Sequence, residues 1–338
     1  MNPENISPAV RLNYTNFPIF YLQLGSKSSL FLDRVLRQAQ LTNGKENVFL
    51  LTDTNFHLFR EFNCIDISKY ASGHLEFDKV YKHHSTNTFF FEKTCFDRWF
   101  LINELVKDLN IDHFFYADCD VLLLSDLNPV HDFISKNNYE GTTMFFEKDG
   151  DSVTSAHSSF WSKKLIGDFC DFIYKKYINY GEFESLLKDT IEGKFLNNTN
   201  VSDMILLDLF RRETKPPVLN LFSLEERNIC FDFNLNVSYN GWEHSFKISP
   251  FYKIKKISRM KDGLYGHVTR NTAPPPFLKF YTLHFQGYLT KALIPIYITY
   301  QTIFEFVGNN LTGNYHYIVR KMKLLKNKVK KILLSAKK

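Results

Sequence analysis

Two carboxylates, Asp118 and Asp120, stand one residue apart in an otherwise apolar stretch, between Phe114-Phe115-Tyr116-Ala117 and Val121-Leu122-Leu123-Leu124. Burying one carboxylate is costly unless something compensates its charge, and a neighbour of like charge adds repulsion. A divalent cation removes both penalties. At a strand end, alternation turns the two acids of Asp-x-Asp to the same side, and their oxygens suit Mn2+ or Mg2+. An ion held there would neutralise a diphosphate and the charge that develops as it departs.

The surrounding elements must bring other groups to that strand end. The apolar run 17–24 leads into Gly25-Ser26-Lys27-Ser28-Ser29, and Leu30, Leu32, Val35, Leu36 and Ala39 then recur at helical spacing. Val48-Phe49-Leu50-Leu51 follows and ends at Thr52-Asp53, completing a strand–helix–strand unit for a parallel sheet. Ligands of such sheets bind beyond the carboxyl ends of the strands, where Gly25 and Asp53 fall. A helix is predicted from Thr94 to about Asn110, with Arg98 near its start, and 114–117 as the strand that ends in the acid pair. Downstream, the pattern predicts a strand over 142–146, helices over 160–177 and 202–212, and a strand over 217–222. Residues 239–276, rich in glycine and proline, read as long loops, and 281–285 as a last short strand.

Tyr116-Ala117-Asp118-Cys119-Asp120-Val121-Leu122 resembles the DxD motif of GT-A-fold glycosyltransferases. The resemblance implies an α/β fold of Rossmann-like kind, a mixed and mostly parallel sheet flanked by helices, with a helical extension at the C-terminus. It implies Mn2+ (or Mg2+) as cofactor and a UDP-sugar as donor. The first strand and its loop, Tyr21, Leu24 and Gly25, are similar to the family's nucleotide-contacting strand, and Asp53 to the end of its second. Arg98 matches an arginine that faces the donor sugar, and Val201-Ser202-Asp203-Met204 the segment that brings an acid to sugar and acceptor. His284-Phe285-Gln286-Gly287 with Lys291 resembles the HxxGxxK signature of the retaining, glycogenin-like galactosyltransferase group. By that likeness His284 ligates the metal together with Asp118 and Asp120, while Gly287 and Lys291 contact phosphate. One extra residue separates Gly287 from Lys291 here, and the Pro-Trp that usually follows is absent. Arg98 and Asp203 are the expected catalytic residues.

The 338 residues, 44% of them hydrophobic, exclude a mini-protein and a disordered chain. Five cysteines with no CxxC pair fit neither a zinc ribbon nor a dithiol redox site, and point to a reducing compartment. The net charge of +6 is unevenly placed: the residues after Phe306 carry nine Lys or Arg and no acid, against 33 basic and 36 acidic residues before them. Ile318, Met322, Leu325, Val329 and Ile332 share one helical face, with lysines over much of the rest. That is the pattern of a helix on an anionic membrane surface. The organisation expected is a transferase domain over 1–291 and a basic, helical tail over 292–338. Residues 315–338 would rest on the membrane, the acceptor would be a glycan or a lipid-linked sugar, and nucleic acid is not the expected partner. Met1–Asn16 lack the pattern of an export signal, so the expected location is cytoplasmic, at the inner face of a membrane. Two rivals share these features. One is an aspartate-nucleophile phosphatase, with Asp118-x-Asp120-Val121 as its motif and Asp168 and Asp171 as its later acids; the other is a non-catalytic membrane adaptor.

Overall fold

The apolar run ending at Gly25 folds into strand β1 (Ile19–Gln23), its first four residues buried. The computed structural model describes residues 12–148, 151–181, 184, 201–236, 246–250, 252–269, 277–299 and 303–335. The chain divides into two compact units, Met1–Lys27 with Lys45–Asp118 and Leu127–Ser223, and Ser28–Gly44 with Cys119–Asp126 and Leu224–Lys338. Elements are numbered along the chain.

The first unit is built on one sheet, in which β1 is joined by β2 (Val48–Thr52), β3 (Asn63–Asp66), β4 (His113–Ala117), β6 (Gly141–Lys148), β7 (Asp151–Ser155), β8 (Ser158–Ser162) and β9 (Val218–Asn220). Their order is β3-β2-β1-β4-β8-β6-β7, with β9 beside β6. The strands β3, β2, β1 and β4 are parallel, as the strand–helix–strand pattern predicts, and β8, β6 and β7 continue the sheet antiparallel. Strand order reverses direction at β1 and β4, so the crevice beyond their carboxyl ends is where a ligand would sit. The helices of this unit are α2 (Ser72–Asp78), α3 (Phe89–Asp108), α4 (Asn128–Lys136), α5 (Lys163–Ile178) and α6 (Asp203–Thr214). Phe20 and Phe114 from the sheet pack with Trp99 of α3, Trp161 of β8 and Phe169 of α5 in one buried cluster. Each such side chain stabilises the fold by about 1.5–3 kcal/mol relative to leaving it in water.

Two helix starts in this unit differ from the sequence reading. Helix α3 starts at Phe89 rather than Thr94, because Thr88 caps it, its hydroxyl accepting from Phe91 N at 3.4 Å. Three exposed phenylalanines, Phe89, Phe90 and Phe91, hid that start by reading as core. The helix expected from Phe160 starts at Lys163: Phe160 and Trp161 pair with Phe115 and Phe114 in β8, and the Ser162 hydroxyl accepts from Leu165 N at 3.0 Å to open α5.

The second unit holds α1 (Leu32–Asn43), β5 (Val121–Leu123), β10 (Ile229–Phe231), β11 (Ile257–Met260), β12 (Gly263–His267), β13 (Phe277–His284), α7 (Ile294–Tyr297) and α8 (Ile303–Ser335). Its sheet runs β10-β13-β12-β11. β5 pairs antiparallel with the last residues of β13, setting Val121 opposite His284. Residues 257–267, expected to be loop, form a hairpin whose two-residue turn is Lys261-Asp262; Gly263 and Gly266, taken as loop signals, lie inside β12. Residues 237–245, 251 and 270–276 of the expected loop region lie outside the described residues. β13 starts at Phe277, four residues ahead of the predicted strand. Gln38 of α1 is wholly buried and exchanges hydrogen bonds with Thr299, Nε2 to Oγ1 at 2.7 Å and Thr299 N to Oε1 at 2.7 Å. No helix among the described residues is long and apolar enough to cross a membrane.

Candidate functional site

In the first unit β4 ends at Ala117, and Asp118 follows with its N–H donated to His157 O at 2.8 Å. Arg98, one turn or more inside α3, reaches three groups. Its NH1 donates to Asp118 Oδ1 at 2.8 Å and to the Tyr116 hydroxyl at 3.1 Å, and its NH2 bonds Asp203 Oδ2. Tyr116 in turn donates to Asp118 Oδ1 at 2.6 Å, and Trp99 Nε1 to Asp203 Oδ2 at 3.0 Å. Burial works against the Arg98 charge, but Asp203, Tyr116 and Asp118 outweigh it and hold the guanidinium well above its ordinary value. Arg98 Nε has no hydrogen-bond partner among the described residues.

Asp203 opens α6 behind Ser202, whose hydroxyl accepts from Ile205 N at 3.3 Å. Both donors to Asp203 fall on Oδ2, which leaves Oδ1 as the oxygen that can meet a hydroxyl. Gly25 lies beyond β1 at φ +76°, a conformation that favours glycine. Its N–H donates to Asp53 Oδ1 at 2.8 Å and its carbonyl accepts from Thr54 Oγ1 at 2.9 Å, so Asp53 ties the loop after β1 to the loop after β2. Leu24 is half-buried, and Tyr21 lies wholly buried within β1, between its partners Leu50 and Ala117.

In the second unit Asp120 is buried beside His284 and Lys291. Lys291 Nζ stands 2.8 Å from Asp120 Oδ2, and His284 Nε2 stands 3.6 Å from Oδ1. The extra residue between Gly287 and Lys291 is absorbed in a turn: Gly287 takes φ +93°, and its carbonyl accepts from Thr290 Oγ1 at 3.1 Å. His284 Nδ1 lies 2.7 Å from the Phe233 carbonyl. A carbonyl can only accept, so Nδ1 carries the proton. Nε2 then aims its lone pair at a carboxylate oxygen unless the ring takes a second proton. A shared cation satisfies both groups, and a backbone carbonyl on the far nitrogen is how metal-binding histidines are commonly oriented. The 3.6 Å gap suits this: two atoms each about 2.1 Å from one ion stand about 3 Å or slightly more apart. Burial opposes the charge on Asp120, and a doubly protonated His284 ring and the Lys291 ammonium overcome it, holding the carboxyl below its usual range.

Behind His284 lies a pair that the sequence did not disclose. Asp232 Oδ2 accepts from His284 N at 2.9 Å, and its Oδ1 meets Lys255 Nζ at 2.5 Å, both side chains wholly buried. Tyr116 and Trp99 were missed as polar partners as well. Each reads as core by its apolar neighbours, and its polar atom declares itself only when Asp118 or Asp203 is placed beside it. The phosphatase alternative needs Asp168 at a strand end; it lies within α5, paired with Lys164 at 2.6 Å.

No family model matches this chain, and neither does any curated protein. Solved structures do. Mouse xyloside xylosyltransferase 1 in its apo form is 11% identical with a TM-score of 0.41, over 61% of this chain and 84% of that one. Core-mannan synthase A from Aspergillus fumigatus, in a Mn/GDP form, is 8% identical with a TM-score of 0.36, over 62% and 75%. A cytidylyltransferase from Leptospira borgpetersenii is 12% identical with a TM-score of 0.30, over 60% and 96%. At such values the function rests on the residues themselves.

Proposed function

We propose that this chain is a metal-dependent glycosyltransferase that moves a hexose or N-acetylhexosamine from a UDP-sugar to a glycan or lipid-linked acceptor. The observation that carries the reading is the imidazole of His284, fixed by the Phe233 carbonyl and aimed at Asp120 Oδ1, with Lys291 on the other oxygen.

Asp120 and His284 are the residues that would hold Mn2+ or Mg2+, and Asp118, one residue removed from Asp120 in the sequence, is the further acid of the ligand set. When bound, the cation supplies charge neutralisation for the departing diphosphate. Lys291 adds a fixed ammonium for phosphate oxygens, and Gly287 lets the backbone turn beside it. Asp203, held at Oδ2 by Arg98 and Trp99, presents Oδ1 to a sugar or acceptor hydroxyl. That anchoring suits positioning, the role expected of a retaining enzyme. The Gly25 loop, pinned by Asp53, borders the crevice beyond β1 and is assigned to the nucleotide. In this reading residues 1–291 perform the chemistry.

The test is UDP release from a panel of UDP-sugars with Mn2+ present. Release above background for at least one donor, lost in Asp120→Ala, supports the reading. No release from any donor, together with phosphate release from an aryl phosphate, defeats it.

A further inference from the structure

Helix α8 shows two faces over the residues whose side chains are described. One face is used within the second unit. Gly313 lies so close to α7 that a Cβ there would stand 2.8 Å from Ile296 Cγ1, Tyr317 is 8% exposed with its ring 5.2 Å from that of Tyr252, and the Arg320 guanidinium lies 4.2 Å from the Tyr288 ring. The opposite face carries Leu311, Tyr315, Ile318, Met322 and Leu325, spaced 4, 3, 4 and 3, and 50–67% exposed.

This inverts the usual arrangement. A surface helix turns its apolar stripe to the protein and its charges to water, whereas here the stripe faces away from the elements that α8 packs on. Lys321, Lys323, Lys326 and Lys328 accompany it, and no acid occurs after Glu305. Pairing this stripe with the same stripe of a second copy would bring two stretches rich in lysine and free of acids together, where like charges repel. Nucleic acid would meet the lysines and leave the apolar side chains in water. An anionic bilayer answers both, taking the stripe among its acyl chains and the ammonium groups at its headgroups.

We propose that α8 is a monotopic membrane helix, lying in the interface of an anionic bilayer through Leu311, Tyr315, Ile318, Met322 and Leu325. This goes beyond the transferase reading and does not depend on it. The test is flotation of the full chain with phosphatidylcholine vesicles that contain or lack phosphatidylglycerol. The parent floats with the anionic vesicles and not the neutral ones. The triple variant Ile318→Asp, Met322→Asp, Leu325→Asp binds at least about 10-fold less, with circular dichroism and Tm unchanged because all three positions are exposed. A second variant, Lys321→Gln, Lys323→Gln, Lys326→Gln, loses the preference for anionic lipid and leaves the apolar stripe intact. Failure of the parent to float, or equal flotation of parent and triple aspartate variant, overturns the proposal. So does a parent that fails to float and instead dimerises in sedimentation equilibrium, or fails to float and retards DNA.

Discussion

Two clusters of the same ingredients, one in each unit, have opposite character. In the first unit His74 and Asp78 of α2 face Lys93 and Asp97 of α3; Lys93 Nζ bonds the Oδ1 atoms of both aspartates, and His74 Nδ1 lies 3.6 Å from Asp97. The lysine already serves as the shared cation. In the second unit Lys291 takes only Oδ2 of Asp120, and Oδ1 faces an imidazole aimed by a backbone carbonyl. The two acids respond differently. Burial dominates at Asp97 and raises its pKa despite Lys93 and His74, whereas at Asp120 burial is overcome by His284 and Lys291 and the pKa falls. The difference separates a cluster closed by its own lysine from the one to which the proposed ion is assigned.

Neutralising each acid in turn separates the two clusters. Asp120→Asn is expected to lower UDP-sugar turnover by about 10³-fold, while Asp97→Asn stays within about 3-fold of the parent if α2 and α3 hold the fold alone. Steady-state rates of UDP release decide it. Lys255→Met addresses what stands behind His284. It leaves Asp232 buried without its ammonium and should cost about 3–5 kcal/mol in urea unfolding, a loss that Asp232→Asn in the same chain largely restores.

A smaller effect separates the two histidines. Mn2+ at about 100 times its dissociation constant stabilises a protein that binds it by about 2.7 kcal/mol. The parent and His74→Ala should both show the rise in Tm, and His284→Ala should not. The smallest effect is in the acid range. Asp120 has a depressed folded pKa, so its contribution is complete above the ordinary carboxylate range near ~3.9 and is lost as pH falls through the folded value. Asp97 works the other way, its cost appearing as pH rises from that range through its raised value. Comparing stability of the parent with Asp120→Asn and with Asp97→Asn between neutral and acid pH should give slopes of opposite sign.

Much of the frame was legible because one local rule acted at a time. Short unbroken apolar runs revealed β1, β2 and β4, and Ser202 before an apolar period revealed α6. The acid pair stood out because carboxylates are expensive among Phe114, Phe115, Val121 and Leu122. What escaped depends on contacts far apart in sequence. The two-unit division places Ser28–Gly44 with residues beyond 224, and no composition change marks those joins. Asp232 and Lys255 are 23 positions apart, and the partners Trp99 and Asp203 lie 104 apart. The 257–267 hairpin was missed because glycines inside β12 carry the same signal as glycines in a turn.

Asp120 and His284 are proposed to hold the ion on which a nucleoside diphosphate is bound. Isothermal titration of UDP into the full chain, with Mn2+ and then with chelator, decides this. Saturable binding with Mn2+ is expected, and it disappears with chelator and in His284→Ala. Heats that are the same in all three, or absent from the parent with Mn2+, would contradict it.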